Sequence, residues 1–125
     1  MAASDEDAQR RKPPRLPGRP GRAYKTLMST AETTSHRLVL PADSNHFGTL
    51  YAGSLLRYAL EAAYATAVRA VGPDANLMLR RVLSLECRRG VPVGALVELR
   101  GAVLQVRQSY LVAGVVGMPL DDQTL

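Results

Sequence analysis

The stretch Gly53-Ser54-Leu55-Leu56-Arg57-Tyr58-Ala59-Leu60-Glu61-Ala62-Ala63-Tyr64-Ala65-Thr66-Ala67-Val68-Arg69-Ala70-Val71 decides the reading of this chain. It holds no proline, its one glycine stands at the start, and alanine and leucine dominate it, so it is predicted to be a helix. Gly72-Pro73 supplies the stop. Arg57, Glu61 and Arg69 are its only charges. Leu55, Leu56, Ala59, Leu60, Ala63, Ala67, Val68 and Val71 cover most of the remaining circumference, so burial on more than one side is expected. The many alanines let a neighbouring sheet come close.

Outward from the helix, the patterns are those of strands and turns. His36-Arg37-Leu38-Val39-Leu40 is short, apolar and β-prone, and Pro41 ends it. Ala42 to Thr49 is a polar, turn-prone loop. Beyond the helix the period changes to two. In Arg81 to Arg88, Leu83, Leu85 and Cys87 alternate with Val82, Ser84 and Glu86, which predicts a strand with Cys87 in the core. Gly90-Val91-Pro92-Val93-Gly94 reads as a turn. A long strand follows from Leu96 to Gln108, with a change of phase at Gly101 that predicts a bulge or bend there. Tyr110 to Met118 is a third strand, apolar on both faces, and Pro119-Leu120-Asp121-Asp122 ends it. Strand, loop, one long apolar helix and an antiparallel meander make an α+β domain whose sheet wraps the helix.

The chain has 125 residues, 46% of them hydrophobic and 22% charged, which fits one globular domain and excludes a disordered, collagen-like or coiled-coil protein. The net charge of +5 is unevenly placed. Residues 1–27 hold seven Lys and Arg against three acids; residues 28–125 hold nine Arg against eight acids. The ordered part therefore offers no broad basic face, and no nucleic-acid partner is expected. Residues 1–33 read as a disordered Pro- and Arg-rich arm, and residues 34–125 as the folded domain. Met28 is a plausible second start, so residues 1–27 are either a native arm or a non-native extension. No secretory signal or membrane partner is expected, because no charge-free stretch is longer than Gln108 to Leu120, which is short and glycine-rich. The single cysteine forms no internal disulfide and no thiolate metal site, which points to a reducing, cytoplasmic location.

Leu40-Pro41-Ala42-Asp43-Ser44-Asn45-His46-Phe47-Gly48-Thr49-Leu50-Tyr51-Ala52-Gly53 resembles the loop and helix start of the hotdog acyl-CoA thioesterases, whose motif reads approximately (M/L)P-x-D-x-N-x-x-G-(T/D)-(L/I)-(F/H)-G-G. The continuation Leu55-Leu56 and Glu61-Ala62-Ala63 is similar to the family too, and the likeness runs over residues 37–118. It implies a hotdog fold, an antiparallel sheet wrapped around one long central helix. It also implies an acyl-CoA thioester as substrate, no separate cofactor or metal, and self-association as a dimer or a dimer of dimers. Family members carry one more long strand after the position where this chain stops. Two residues depart from the pattern. Ala52 stands for the first glycine of the pair, and Leu60 stands where the family places an acid.

Thioester hydrolysis needs an attacking water, a base, and donors for the carbonyl oxygen as it becomes negative. The resemblance assigns the donors to the loop and helix start, with Gly48, Ala52 and Gly53 as substrate-binding positions. Asn45 matches the loop Asn that positions water or carbonyl; alternatively it makes an Asx turn. Glu61 is the only carboxylate of the helix, one residue and about 100° past the usual acid position. It is either the base or the i,i+4 partner of Arg57. Asp43 is a weaker candidate, readable as a turn or cap residue. His46 lacks the spacing of hotdog dehydratases. Arg80, Arg81, Arg88 and Arg89 either meet coenzyme A phosphates or line a solvated strand edge. Tyr51 and Tyr58 line an acyl pocket or pack in the core. Two functions result: an acyl-CoA thioesterase, or a non-catalytic hotdog module that binds acyl-CoA or oligomerises.

Overall fold

The helix forms as α1, Ala52–Val71, in the computed structural model, which describes residues 33–120. Gly72 ends it at φ 94°, donating its N–H to Val68 O at 2.7 Å. A residue with a side chain would be strained in that left-handed turn. Three strands form an antiparallel sheet in the order β1 (Thr33–Leu38), β2 (Leu96–Val106), β3 (Leu111–Pro119). β1 pairs with β2 from Thr33 opposite Gly101 to Leu38 opposite Leu96. β2 pairs with β3 from Val97 opposite Pro119 to Val106 opposite Leu111. α1 packs across all three strands. Of the terminal arm expected over residues 1–33, all but Thr33 lies outside the described residues; Thr33 opens β1, which begins three residues ahead of the strand predicted at His36.

The burial of α1 is narrower than its composition implied. Tyr58, Ala62 and Thr66, each one turn apart, form the buried stripe together with Ala67. Arg57, Glu61, Tyr64, Ala65 and Arg69 are exposed, and Leu55, Leu56 and Leu60 flank the stripe half-buried. Three strands cover one side of a helix, so the second apolar side has no cover among the described residues. The core gathers Val39, Tyr58, Ala62, Val97 and Leu99, with Leu50, Val91 and Val115 packed around them.

Two expectations need correction. Gly101 stays in register, opposite Thr33 and Val115, and the irregularity lies between Val103 and Gln105, at Leu104. The phase change misled because Val97, Glu98, Leu99, Gly101 and Ala102 are all buried: a strand covered on both faces loses its period of two. Gly101 serves another purpose. A Cβ there would overlap Thr66 Oγ1 and come within 2.8 Å of Thr33 Oγ1. Those hydroxyls share a 2.5 Å hydrogen bond, and Thr66 also donates to Ala62 O at 2.8 Å. Glycine at 101 thus sets how closely α1 approaches the sheet.

The strand predicted at Arg81 to Arg88 is also absent. Residues 81–90 are exposed and carry no regular secondary structure, with no ladder among the described residues. Alternation marks a surface that suits a sheet, but a strand exists only beside an available edge. Cys87 is accordingly exposed rather than in the core, its thiol beside Arg89 O at 3.2 Å. Pairing resumes at the predicted turn, where Val39 N–H donates to Ala95 O and Gly94, at φ 90°, donates its N–H to Val39 O.

Gly101→Ala is expected to destabilise the fold by about 1–3 kcal/mol, the usual range for overpacking. Urea denaturation measures this; an unchanged midpoint contradicts the close approach of α1 at Gly101.

Candidate active site

Proline and the short polar residues after Leu40 forbid continued strand pairing and favour local turns. The chain makes a 3-10 turn at Pro41–Asp43, then a tight turn over Asn45 to Gly48, where Gly48 takes φ 75°. Gly48 N–H donates to Asn45 O at 3.1 Å, and Asn45 N–H donates to Thr49 O at 2.8 Å. The loop is also tied to the segment after α1. Leu50 N–H donates to Val91 O at 2.7 Å, and Val93 N–H donates to Gly48 O at 3.0 Å. Both backbone groups of Gly48 are therefore used in folding the turn.

Asn45 Oδ1 accepts three hydrogen bonds: from Phe47 N–H at 3.0 Å, Thr49 N–H at 3.2 Å and Thr49 Oγ1 at 3.1 Å. This is the Asx turn the sequence allowed. It also leaves the side-chain amide nitrogen as the one group of Asn45 without a role in the turn. That nitrogen is a donor only. Tyr51 caps α1 with no side-chain hydrogen bond, and its N–H donates to Asp43 O at 2.9 Å. The first intrahelical bond runs from Leu55 N–H to Tyr51 O at 2.9 Å. The N–H groups of Ala52, Gly53 and Ser54 precede it, at the positive end of the helix dipole. Tyr51 is 56% exposed, and its ring lies so close to Gly53 that a Cβ there would sit 2.5 Å from Cε1. Tyr58, by contrast, is a core residue, 1% exposed.

The two carboxylates separate clearly. Asp43 turns toward α1, where Arg57 Nη2 donates to Oδ1 at 2.8 Å and the Tyr58 hydroxyl donates to Oδ2 at 2.7 Å. Leu40 N–H reaches the same Oδ2 at 3.4 Å. The Tyr58 hydroxyl is the main cause that holds the Asp43 carboxyl below its ordinary value near 3.8; desolvation opposes it, and Leu40 N–H and Arg57 add to the lowering. Burial, followed by the Asp43 carboxylate, raises Tyr58 above its ordinary 10.0. Glu61 lies nine residues past Ala52, about 14 Å along the axis, and forms an ion pair with Arg37 of β1. Arg57, its expected i,i+4 partner, is bound to Asp43 instead.

Arg80 and Arg81 sit on the segment after α1, twelve and eleven residues before the Pro92 that bridges to Thr49. Arg88 pairs with Glu86 at 3.7 Å. Gly48 is bonded to Asn45 within the turn, Ala52 and Gly53 open α1, and Glu61 is paired with Arg37. Sequence reading missed Thr49, whose hydroxyl completes the Asn45 turn, and gave Tyr58 no partner. The first lay within the quoted motif; the second depends on a contact across fifteen positions.

Comparison with solved structures gives the fold its class. The chain is similar to an acyl-CoA hydrolase from Agrobacterium tumefaciens, with a TM-score of 0.63, 24% identity, and 68% of this chain and 34% of that one covered. It is also similar to a hexameric acyl-CoA thioesterase in its apo form, with a TM-score of 0.54, 29% identity, and 72% and 58% covered. The chain thus spans only about a third and somewhat over half of those two proteins. No family model matches, and no curated sequence matches significantly. The fold is α+β, one long helix on a three-stranded antiparallel sheet, and it matches the hotdog thioesterase structures. That agrees with the resemblance carried by Leu40 to Gly53.

Asp43 makes the stability depend on pH at the acid end. Its carboxyl is lowered in the fold, so its contribution is complete above the ordinary value and is lost as pH falls through the lowered one. Tyr58 is raised, so its share is complete below 10.0 and is lost as pH climbs past the raised value. Denaturation midpoints should fall below about pH 4 in the wild type and fall less in Asp43→Asn. Equal acid sensitivity in both would remove Asp43 from this role.

Proposed function

We propose that this domain hydrolyses an acyl-CoA thioester at the N-terminus of α1. The observation that carries the reading is the Asn45 turn beside a helix start without a side-chain cap. The turn uses Asn45 Oδ1 and leaves its amide nitrogen as a donor outside those hydrogen bonds, and Ala52 and Gly53 present N–H groups along the helix dipole. Such donors hold a carbonyl oxygen and stabilise it as it becomes negative. Water attacks the thioester carbon, the carbon–sulfur bond breaks, and the products are a carboxylic acid and coenzyme A thiol. The likeness to a thioesterase at 29% identity supports the same class of substrate. Arg80 and Arg81 supply positive charge for its phosphates.

The base in this proposal is Glu61, delivered by a second copy of the chain. The separation of Glu61 from the helix start within one chain supports that arrangement, and a similar protein is a hexamer. Self-association would also cover Met78, Leu79, Val82, Leu83 and Leu85, all exposed here. A second reading, a non-catalytic acyl-CoA-binding or oligomerising module, is favoured by Leu60 at the acid position and by the Arg37–Glu61 ion pair.

Three mutations test the readings. Glu61→Gln should lower turnover of a medium-chain acyl-CoA by about 10²-fold, the scale of general-base loss, with substrate binding little changed. Asn45→Ala should cost less, because it removes positioning and keeps the proton acceptor. Leu60→Asp should create or raise activity. Thioesterase activity that ignores both Glu61→Gln and Leu60→Asp would place the base elsewhere. A wild type that binds acyl-CoA without hydrolysing it would favour the binding module.

Light scattering should find an oligomer at micromolar protein. A stable monomer would contradict a base supplied in trans.

A further inference from the structure

We propose that Tyr58 is a positioning residue for this site: its hydroxyl, acting through Asp43, fixes the Asn45 loop against the first turn of α1. The catalytic consequence rests on the reading above; the consequence for the loop rests on hydrogen bonding alone.

The Asn45 turn is closed by its own hydrogen bonds, so it moves as a unit. Its place relative to α1 depends on what anchors that unit. Backbone bonds at Leu50 and Gly48 tie it to Val91 and Val93 of the segment after α1, which is not part of the helix. The side-chain link to the helix passes through Asp43, two residues before Asn45. Asp43 O receives Tyr51 N–H at 2.9 Å, and its carboxylate receives Arg57 and Tyr58. Arg57 is half exposed, on a long flexible stem. Tyr58 is buried in the core, and its ring cannot shift without disturbing Val39, Ala62, Val97 and Leu99. Tyr58 is therefore the fixed end of the link.

The surroundings of the ring agree with that role. The Arg37 guanidinium lies 5.1 Å from its centroid and that of Arg57 5.5 Å, both within cation–π range. Arg37 also holds Glu61. One buried tyrosine thus has two guanidiniums beside its ring, Arg37 from β1 and Arg57 from α1, and the Asp43 carboxylate of the loop on its hydroxyl. A residue needed only for packing could be a phenylalanine. A residue needed only to close the 3-10 turn would not send both carboxylate oxygens into short bonds with the helix; the bond to Leu40, at 3.4 Å, is the longest of the three.

Tyr58→Phe keeps the ring and removes the hydroxyl. Hydrogen exchange should accelerate roughly tenfold at Phe47, Thr49 and Tyr51 and stay unchanged within β2 and β3, the pattern of a local opening. With octanoyl-CoA as probe, kcat should fall by up to about 10²-fold, the cost of a small misplacement, while KM holds. Asp43→Asn should reproduce the exchange pattern, and it carries the test if Tyr58→Phe does not fold. Unchanged exchange in the loop, or faster exchange throughout the sheet, overturns the proposal. A wild type that leaves octanoyl-CoA intact defeats the hydrolase reading, and the exchange pattern then decides on Tyr58 by itself.

Discussion

The structure depends on how near α1 comes to the sheet, and that distance is set where Thr66 lies over Gly101. With no side chain at 101, the Thr66 hydroxyl meets Thr33 of the edge strand and Ala62 O of its own helix. A helix held at that depth carries Tyr58, two turns earlier on the same stripe, into the core. Only then can the tyrosine hydroxyl emerge at the loop end and meet Asp43. The order of dependence runs from a missing side chain in β2, through the helix, to the loop at its start.

The buried stripe is more polar than the core of an amphipathic helix usually is. Thr66 and Tyr58 both place a hydroxyl out of water, and each hydroxyl is bonded. A hydroxyl buried without a partner would cost about 1–3 kcal/mol. Such contacts therefore penalise any sliding or rotation of α1 that breaks them, which a stripe of leucines would tolerate more easily. Four arginines pair with acids: Arg37 with Glu61, Arg57 with Asp43, Arg88 with Glu86, and Arg100 with the buried Glu98. This matching fits the nearly neutral balance of residues 28–125.

What could be read from the sequence was local. The helix and its glycine stop, the turn at Asn45, the Gly94 turn and the two long strands all follow from neighbours a few residues apart. Features that depend on distant partners were not readable. Arg81 to Arg88 has a strand's alternation, but whether an edge lies beside it is a property of the whole sheet. Cys87 was misplaced for the same reason. The irregularity expected at Gly101 falls at Leu104 instead, and the glycine at 101 answers to a threonine thirty-five positions earlier. At the site, Asn45 and the helix start were visible in the motif. The choice of Arg57 for Asp43 and Arg37 for Glu61 depends on β1 and the loop meeting one face of α1.

The run after α1 has a consequence for covalent continuity. β1 is laddered to β2, and α1 packs on all three strands, so the halves of the domain before and after residues 77–90 hold each other by contacts that do not pass through that run. Four arginines, Arg80, Arg81, Arg88 and Arg89, lie within it, in a stretch with no regular secondary structure. Trypsin acting on the folded domain would cut there first, and the two pieces would stay together as a nicked complex. The peptide chain between α1 and β2 is thus a tether, and the domain is in effect two interlocked fragments that one strand pairing and one helix keep assembled.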